Sequence, residues 1–336
     1  MPILQFPDNY FQNEKRCNFH VTAMMKRLWA AQMEILAWID EVCTQNDIKY
    51  VLSWGSLLGA VRHKGFIPWD DDIDISMLRP DYMKFLSAVE GKLPKFFDSM
   101  SLLPGATPPK EEIYNFNNGN RLDTSPEFLE RFHGCPYATG VDIFVFDKIP
   151  DNPDDFEYQQ TLLKLLDRML MLQWSVDDKS IQAAEEREYT LIRQKLEREL
   201  DLSFEDKGNM PLQIMQLFDM ACSLCEDCDS INVENRMQML YYGDRGYQIS
   251  DFTERIIAPF EGVMDVPIPR DYDRLMHKQF WDYEKPRPFG ALHDYPIYHE
   301  QRDILYRAYK ERGWKIPEEF LEYDENGKLV VDPDEI

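Results

Sequence analysis

The residues of this chain best equipped for chemistry lie in Asp70-Asp71-Asp72-Ile73-Asp74-Ile75. Strand residues two apart face the same way, so Asp72 and Asp74 present their carboxylates together while Ile73 and Ile75 turn to the core. Two hard oxygen anions side by side repel each other unless a divalent cation lies between them. Mg²⁺ is the usual one, held by one or two carboxylates plus phosphate oxygens, with Mn²⁺ as the alternative. Asp142 stands alone among the strand formers of Gly140-Val141-Asp142-Ile143-Phe144-Val145-Phe146. A buried anion there needs a metal or a proton. Gly55-Ser56 offers a glycine that lets the backbone approach a phosphate, and a serine hydroxyl and N–H where a helix begins. Arg62, His63 and Lys64 supply nearby cations, and the planar fork of Arg62 suits a diphosphate. Together these residues predict metal-dependent transfer of a phosphorus-containing group from a nucleotide donor. A solvated acidic loop would not explain the alternation in Asp72-Ile73-Asp74 or the lone Asp142. A calcium loop fits worse, because Ile73 and Ile75 stand where it needs glycine and polar ligands.

These residues need elements to position them. Val21, Met24, Leu28, Ile35, Leu36, Ile39 and Val42 recur at helical spacing, which predicts a helix over 21–46. Lys49 to Trp54 reads as a short strand that Gly55-Ser56 interrupts, and Leu57 to Val61 is helix-compatible. Asp74 to Met77 reads as a strand, and Arg79-Pro80-Asp81 opens a helix that runs to about Glu90, with Pro80 suited to its first turn. Residues 91–136 read as strands and loops. Asp151-Asn152-Pro153-Asp154 marks a boundary, after which Asp154 to Leu200 and Met210 to Asp229 are helical in pattern. No comparable strand is expected before Ile256 to Val266. Glu322 to Val331 reads as a hairpin about Asn326-Gly327. The expected fold is α+β, with a catalytic core over 20–150. A mainly helical substrate-binding part over 151–300 packs on it, followed by a C-terminal tail over 301–336.

Bulk composition narrows the partners. The 61 acidic residues against 37 basic ones give a net charge of -24, which disfavours nucleic acid and anionic lipid. Any phosphate must therefore be held locally. No segment approaches the ~20 apolar residues of a membrane helix, and Met1 to Phe19 lacks the basic start and apolar run of a signal peptide. A cytoplasmic chain is expected, touching a membrane surface only transiently. The 6 cysteines fit reduced thiols. Cys222, Cys225 and Cys228 have metal-ligand spacing, with Cys17, Cys43 or Cys135 as a fourth ligand. The better reading places them along one helical stripe as small hydrophobes.

The stretch from Trp54 through Gly55-Ser56-Leu57-Leu58-Gly59 and Arg62-His63-Lys64-Gly65 to Pro68-Trp69-Asp70-Asp71-Asp72-Ile73-Asp74 closely resembles the signature of the LicD family. Fukutin and fukutin-related protein are distant relatives of that family. The resemblance continues at Arg79 to Phe85, at Gly140 to Phe144, at Asp147 and Pro150, and at Val266-Pro267-Ile268-Pro269 with Tyr272, Asp273 and Leu275. It departs from the family pattern at Val145 and at Phe280-Trp281-Asp282-Tyr283. It implies a polymerase-β-type nucleotidyltransferase core and transfer of phosphocholine, or a similar headgroup, from a CDP-linked donor, with release of CMP. The implied acceptor is a hydroxyl of a glycan or lipid-linked glycan, as in lipopolysaccharide or teichoic acid precursors. On that template Asp72 and Asp74 hold Mg²⁺ and Asp70 is a further ligand. Asp142 is either the base or a shared ligand, and Gly55, Ser56, Arg62 and Arg121, with Lys64 nearby, bind the diphosphate. Trp54, Trp69, Trp281 and Tyr283 are available for a choline group. The alternatives are nucleotidyl transfer at the α-phosphorus of a nucleoside triphosphate, a silent scaffold of the same fold, and a sugar-nucleotide glycosyltransferase.

Overall fold

In a computed structural model the chain is described over residues 4–106, 113–205, 208–242, 246–280, 282–287 and 295–333. A small hairpin, β1 (Glu14–Arg16) and β2 (Phe19–Val21), precedes helix α1 (Ala23–Gln45). β3 (Val51–Leu52) leads into α2 (Trp54–His63), and β4 (Asp74–Leu78) into α3 (Arg79–Val89). β5 (Asp98–Met100), β6 (Tyr114–Asn117), α4 (Pro126–Arg131) and the long β7 (Gly140–Lys148) follow. Next come α5 (Pro153–Asp177), α6 (Ala183–Glu199), α7 (Met210–Cys222), β8 (Asn232–Asn235) and β9 (Tyr247–Gln248). α8 (Ser250–Thr253), β10 (Arg255–Phe260), β11 (Met264–Pro269), α9 (Tyr272–Gln279) and α10 (His299–Glu311) complete the order.

The central sheet has seven strands and runs β3-β4-β7-β6-β5, with β8 and β9 joined through β7. β4 and β7 are parallel; β3, β6 and β8 run antiparallel to their neighbours. β7 is long enough to take β4 on one edge and two strands on the other, β6 at Gly140–Ile143 and β8 at Phe146–Lys148. The expected α+β class with a helical second half is what the chain adopts.

Local chemistry explains the helices closest to the sheet. Thr22 caps α1, its hydroxyl accepting from the Met25 N–H. That arrangement is worth about 1 kcal/mol. Leu28, Trp29, Ile35, Leu36 and Ile39 of α1 are fully buried, and each such side chain contributes roughly 1.5–3 kcal/mol. Pro80 sits in the first turn of α3, as its fixed φ requires. Arg79 forms a bidentate pair with Asp147 at 2.7 and 2.8 Å and reaches Asp219 at 2.5 Å, while the Tyr114 hydroxyl donates to Asp219. This buried network ties α3, β6, β7 and α7 together. Helices α5 and α7 share a separate core built on Leu163, Leu166, Met169, Ile214 and Phe218. Residues of β10, β11 and α10 instead pack into the main core with α1 and β4.

Three expectations need correction. Strand β8 was not expected before Ile256. Asn232-Val233-Glu234-Asn235 has a single β-branched residue, and its extended form comes from pairing with β7. Helix α7 ends at Cys222, not Asp229; a 3₁₀ turn over Ser223–Cys225 follows. Cys225 and Cys228 are joined as a disulfide, their Cα atoms 5.1 Å apart, so they are not free thiols on a helical stripe. Cys222 stays a buried thiol, and the reduced-cysteine support for a cytoplasmic location is lost. The hairpin expected over 322–331 about Asn326-Gly327 is present as a short antiparallel return: Tyr323 bridges Leu329, the Val330 N–H donates to Glu322 O and the Asp324 N–H to Lys328 O, both at 2.8 Å, and the Asp324 carboxylate accepts from the Asn326 and Lys328 N–H groups in the turn. Among the described residues no helix is long and apolar enough to cross a membrane.

Candidate active site

The site forms where β4 and β7 begin. Asp74 and Asp142 are direct partners across these parallel strands, and the Asp142 N–H donates to Ile73 O at 2.9 Å. Asp72 lies just before β4 and Asp70 two residues earlier. The alternation is kept: Asp71 and Ile73 are fully buried, while Asp70 and Asp72 stay partly exposed and Asp74 is 8% exposed.

Helix α1 holds the acidic loop by its backbone. Trp29 Nε1 donates to Asp70 O at 2.9 Å, and Gln32 Nε2 donates to Asp71 O at 2.8 Å and to Thr139 Oγ1 at 2.9 Å. Gln32 thereby links the loop to the residue before β7. The buried Asp71 carboxylate accepts from the Ile297 N–H at 2.7 Å through Oδ2. The segment before α10, which the sequence reading set in the helical substrate-binding part over 151–300, is thus part of the site's frame.

Gly55 and Ser56 form the first turn of α2, after Trp54 at a left-handed φ of 45°. A Cβ on Gly55 would meet Asp70 Oδ2 at 2.5 Å, so glycine is needed for the carboxylate to approach. The Ser56 hydroxyl accepts from the Asp74 N–H at 2.9 Å and fixes the start of β4 against α2. Asp142 is oriented by Asn115, whose amide donates to Oδ1 at 2.6 Å; Asn117 in turn donates to Asn115 Oδ1 at 2.9 Å. A Cβ on Gly140 would sit 2.5 Å from the Asn115 amide. The sequence reading missed both asparagines. Their signal was present in Tyr114-Asn115-Phe116-Asn117, which alternates aromatic and amide side chains at the strand period.

The expected cations are placed unevenly. Arg62 is half-buried; its Nε donates to His63 Nε2 and its Nη1 to Tyr283 O, both at 2.8 Å. Lys64 is exposed at the left-handed cap of α2, and Arg121 is exposed in the loop after β6. The hydrogen bonds of Arg62 thus run to His63 and the Tyr283 carbonyl. Tyr283 is buried, and Trp54 lies against Phe144 and Tyr247. Trp281 lies outside the described residues.

The carboxylates repel one another. Burial, then Asp72, Asp142 and Asp70, push Asp74 well above the usual carboxylate range. Burial, then Asp72, does the same to Asp70. One oxygen each from Asp70, Asp71 and Asp72 falls within 4.8 Å of the others. A hard divalent cation fits this donor set, since it would relieve repulsion that protons otherwise offset.

Comparison with known proteins agrees with this geometry. Residues 47–177 match the model of the LicD/FKTN/FKRP nucleotidyltransferase domain, a span holding every carboxylate above. A stretch of 141 residues is 30% identical to lipopolysaccharide cholinephosphotransferase LicD of Haemophilus influenzae, covering 36% of this chain and 43% of that protein. Another of 134 residues is 53% identical to the uncharacterized protein RT0683 of Rickettsia typhi, covering 37% of this chain and 34% of that one. The chain therefore spans less than half the length of either relative. Residues 47–177, with their acidic loop and paired strands, are similar to the nucleotidyltransferase domain of the LicD family.

Proposed function

We propose that this chain transfers a phospho-headgroup, phosphocholine or a close analogue, from a CDP-linked donor to a hydroxyl of a cell-surface glycan precursor. The observation that carries this reading is the gathering of Asp70, Asp72, Asp74 and Asp142 where the parallel strands β4 and β7 begin. The likeness to a lipopolysaccharide cholinephosphotransferase supports the headgroup and acceptor class. A cytoplasmic site of action is part of the proposal.

Asp70, Asp72 and Asp74 would hold Mg²⁺, which when bound offsets the charge of the diphosphate and of the departing CMP. Asp142 takes the proton of the acceptor hydroxyl, and Asn115 keeps its carboxylate aimed. The acceptor oxygen then bonds to the distal phosphorus as the bond to the CMP oxygen breaks. Ser56 and Gly55 act beneath this step by fixing Asp74 and admitting Asp70. Arg62, Lys64 and Arg121 are proposed for the diphosphate; Arg62 would have to exchange its contacts with His63 and Tyr283 to reach it.

Incubation with CDP-choline, Mg²⁺ and a glycan acceptor should release CMP. Pyrophosphate release from a nucleoside triphosphate would favour nucleotidyl transfer by the same carboxylates. If neither product forms and no divalent ion binds at millimolar concentration, the chain is a silent scaffold.

A further inference from the structure

Strands β10 and β11 join through Phe260-Glu261-Gly262-Val263, a turn closed by the Val263 N–H donating to Phe260 O at 3.1 Å. Both central residues have positive φ, 52° at Glu261 and 67° at Gly262. Such turns favour Asn-Gly, Asp-Gly or Gly-Gly, because left-handed backbone disfavours a larger side chain at the first position. Glutamate is a poor choice for the turn itself. Its side chain is only 2% exposed, so its value lies in what the carboxylate touches.

Those contacts lead to the loop that precedes the acidic cluster. The Glu261 N–H donates to Lys64 O at 2.7 Å, and Oε1 accepts from the Phe66 N–H at 3.0 Å. A Cβ on Gly65, between them, would collide with Oε1. Arg16 of β1 completes the grip, its Nη1 and Nη2 donating to Oε1 and Oε2 at 2.7 and 2.9 Å. Both partners of the carboxylate rest on one ring. Phe66 stacks on Trp29 of α1 with centroids 4.6 Å apart and planes within 3°, and the Arg16 guanidinium lies 5.3 Å from the same ring's centroid. Trp29 is fully buried, and its Nε1 donates to Asp70 O at 2.9 Å. A turn residue of β10–β11 is thereby linked, through Phe66 or Arg16 and then Trp29, to the backbone of Asp70.

We propose that Glu261 is a positioning residue for the acidic loop: by holding Phe66 and Arg16 against Trp29 it fixes the indole N–H that sets Asp70. The inference rests on the reading of the carboxylates as a Mg²⁺-dependent transfer site, and it adds to that site a residue outside 47–177. Without the Glu261 carboxylate, Gln32 still holds Asp71 O and Arg16 still pairs with Glu14, so the loop stays folded while Asp70 loses its fixed place. Groups behind a metal's ligands act in this way, and losing one costs about tenfold or more in affinity.

The test is a double-substitution cycle on the full chain, read as Mg²⁺ affinity by calorimetric titration and, in parallel, as CMP release from CDP-choline. Glu261→Asn keeps the turn, which asparagine suits, and shortens the side chain away from Phe66. It should melt cooperatively and bind Mg²⁺ about tenfold more weakly than the wild type. Trp29→Phe, which keeps a ring and removes the indole N–H, should cost a similar factor. The two together should cost about tenfold, and not the roughly hundredfold of independent effects. Arg16→Lys probes the same link without touching the turn: it keeps the charge, loses the fork, and should weaken Mg²⁺ binding about threefold or more. A residue that merely fastens the hairpin would lower the melting temperature and leave Mg²⁺ affinity within about twofold in Glu261→Asn and Arg16→Lys. That result, or losses that multiply in the double variant, overturns the inference. Shifts in Mg²⁺ affinity as expected with no CMP formed would sink the transfer reading and leave this role standing. A wild type that binds no Mg²⁺ at millimolar concentration would sink both.

Discussion

Replacing Asp74 by Asn should stabilise the metal-free protein while abolishing its turnover. Asp74 pairs across the strands with Asp142, and adjacent strands lie about 4.8 Å apart. Two unit charges about 5 Å apart, at an effective dielectric near 20, repel by about 3 kcal/mol. The wild type already relieves part of this, because burial and the neighbouring Asp72 and Asp142 carboxylates hold Asp74 well above the usual range and favour its proton. A net gain of about 1–3 kcal/mol at neutral pH remains for the amide. With an unfolding entropy of about 0.7 kcal/mol/K for 336 residues, the melting temperature in EDTA should rise by about 1.5–4 °C. The sign with pH follows from the raised pKa. The carboxyl's stabilising proton is fully bound below the unfolded value and lost as pH rises through the folded one, so the variant's advantage shrinks on acidification.

Magnesium narrows the gap between the two proteins. Ligand at tenfold its dissociation constant adds about 1.4 kcal/mol to whichever form binds it. The wild type should gain this in a scanning fluorimetry titration and Asp74→Asn should not, while CMP release from CDP-choline falls to background. A variant that melts at or below the wild type in EDTA would refute the like-charge reasoning. An equal Mg²⁺ shift in both proteins would remove Asp74 from the ligand set.

Ser56→Ala leaves the buried Asp74 N–H without the oxygen it now donates to; a loss of about 1–3 kcal/mol in urea denaturation is expected, and unchanged stability would mean another acceptor takes its place. Arg79→Ala strips the buried Asp147 of its bidentate partner, at a cost of about 3–5 kcal/mol by the same assay, and with no change in nucleotide affinity per folded molecule. His63 should titrate near pH 4, because burial and then the Arg62 charge disfavour its imidazolium. Its pKa is depressed, so stability from this group falls as pH drops from about 6.5 towards 4, and an NMR midpoint near 6.5 would place Arg62 elsewhere in solution. Asn115→Ala should lower turnover about tenfold or more through the loss of the hydrogen bond that aims Asp142, with CMP binding intact; full turnover would assign Asn115 to packing.

What was legible in the sequence was what local pattern dictates. α1, α3 and β7 each carry their own periodicity, and the two-residue spacing of Asp72 and Asp74 needed only the geometry of an extended chain. What was not legible depends on partners far away in sequence. β8 is extended because β7 has an open edge at Phe146–Lys148. Asp71 could not be told from its neighbours by type; a backbone N–H 226 residues away makes it an anchor. The resemblance through Arg79 and Asp147 extended well beyond the carboxylates, and the structure gives those two residues a framework role as a buried ion pair.

Gly55 shows where such reading stops and why. A glycine in a strand-to-helix turn signals that something must come close to the backbone, and phosphate was the natural inference. In the structure the space belongs to Asp70 Oδ2, which a Cβ would meet at 2.5 Å. Sequence reveals the need for an approach without naming what approaches, because the visitor comes from another part of the chain. The same limit applies to Arg62, whose type fits a diphosphate but whose position is set by His63 and a carbonyl 221 residues away. If Arg62 binds the donor, it must give up two hydrogen bonds to do so. Arg62→Lys, which keeps the charge but loses the fork, should therefore weaken binding of the CDP-linked donor's diphosphate far more than it alters the melting temperature. A fall in melting temperature with donor affinity unchanged would assign Arg62 to the scaffold.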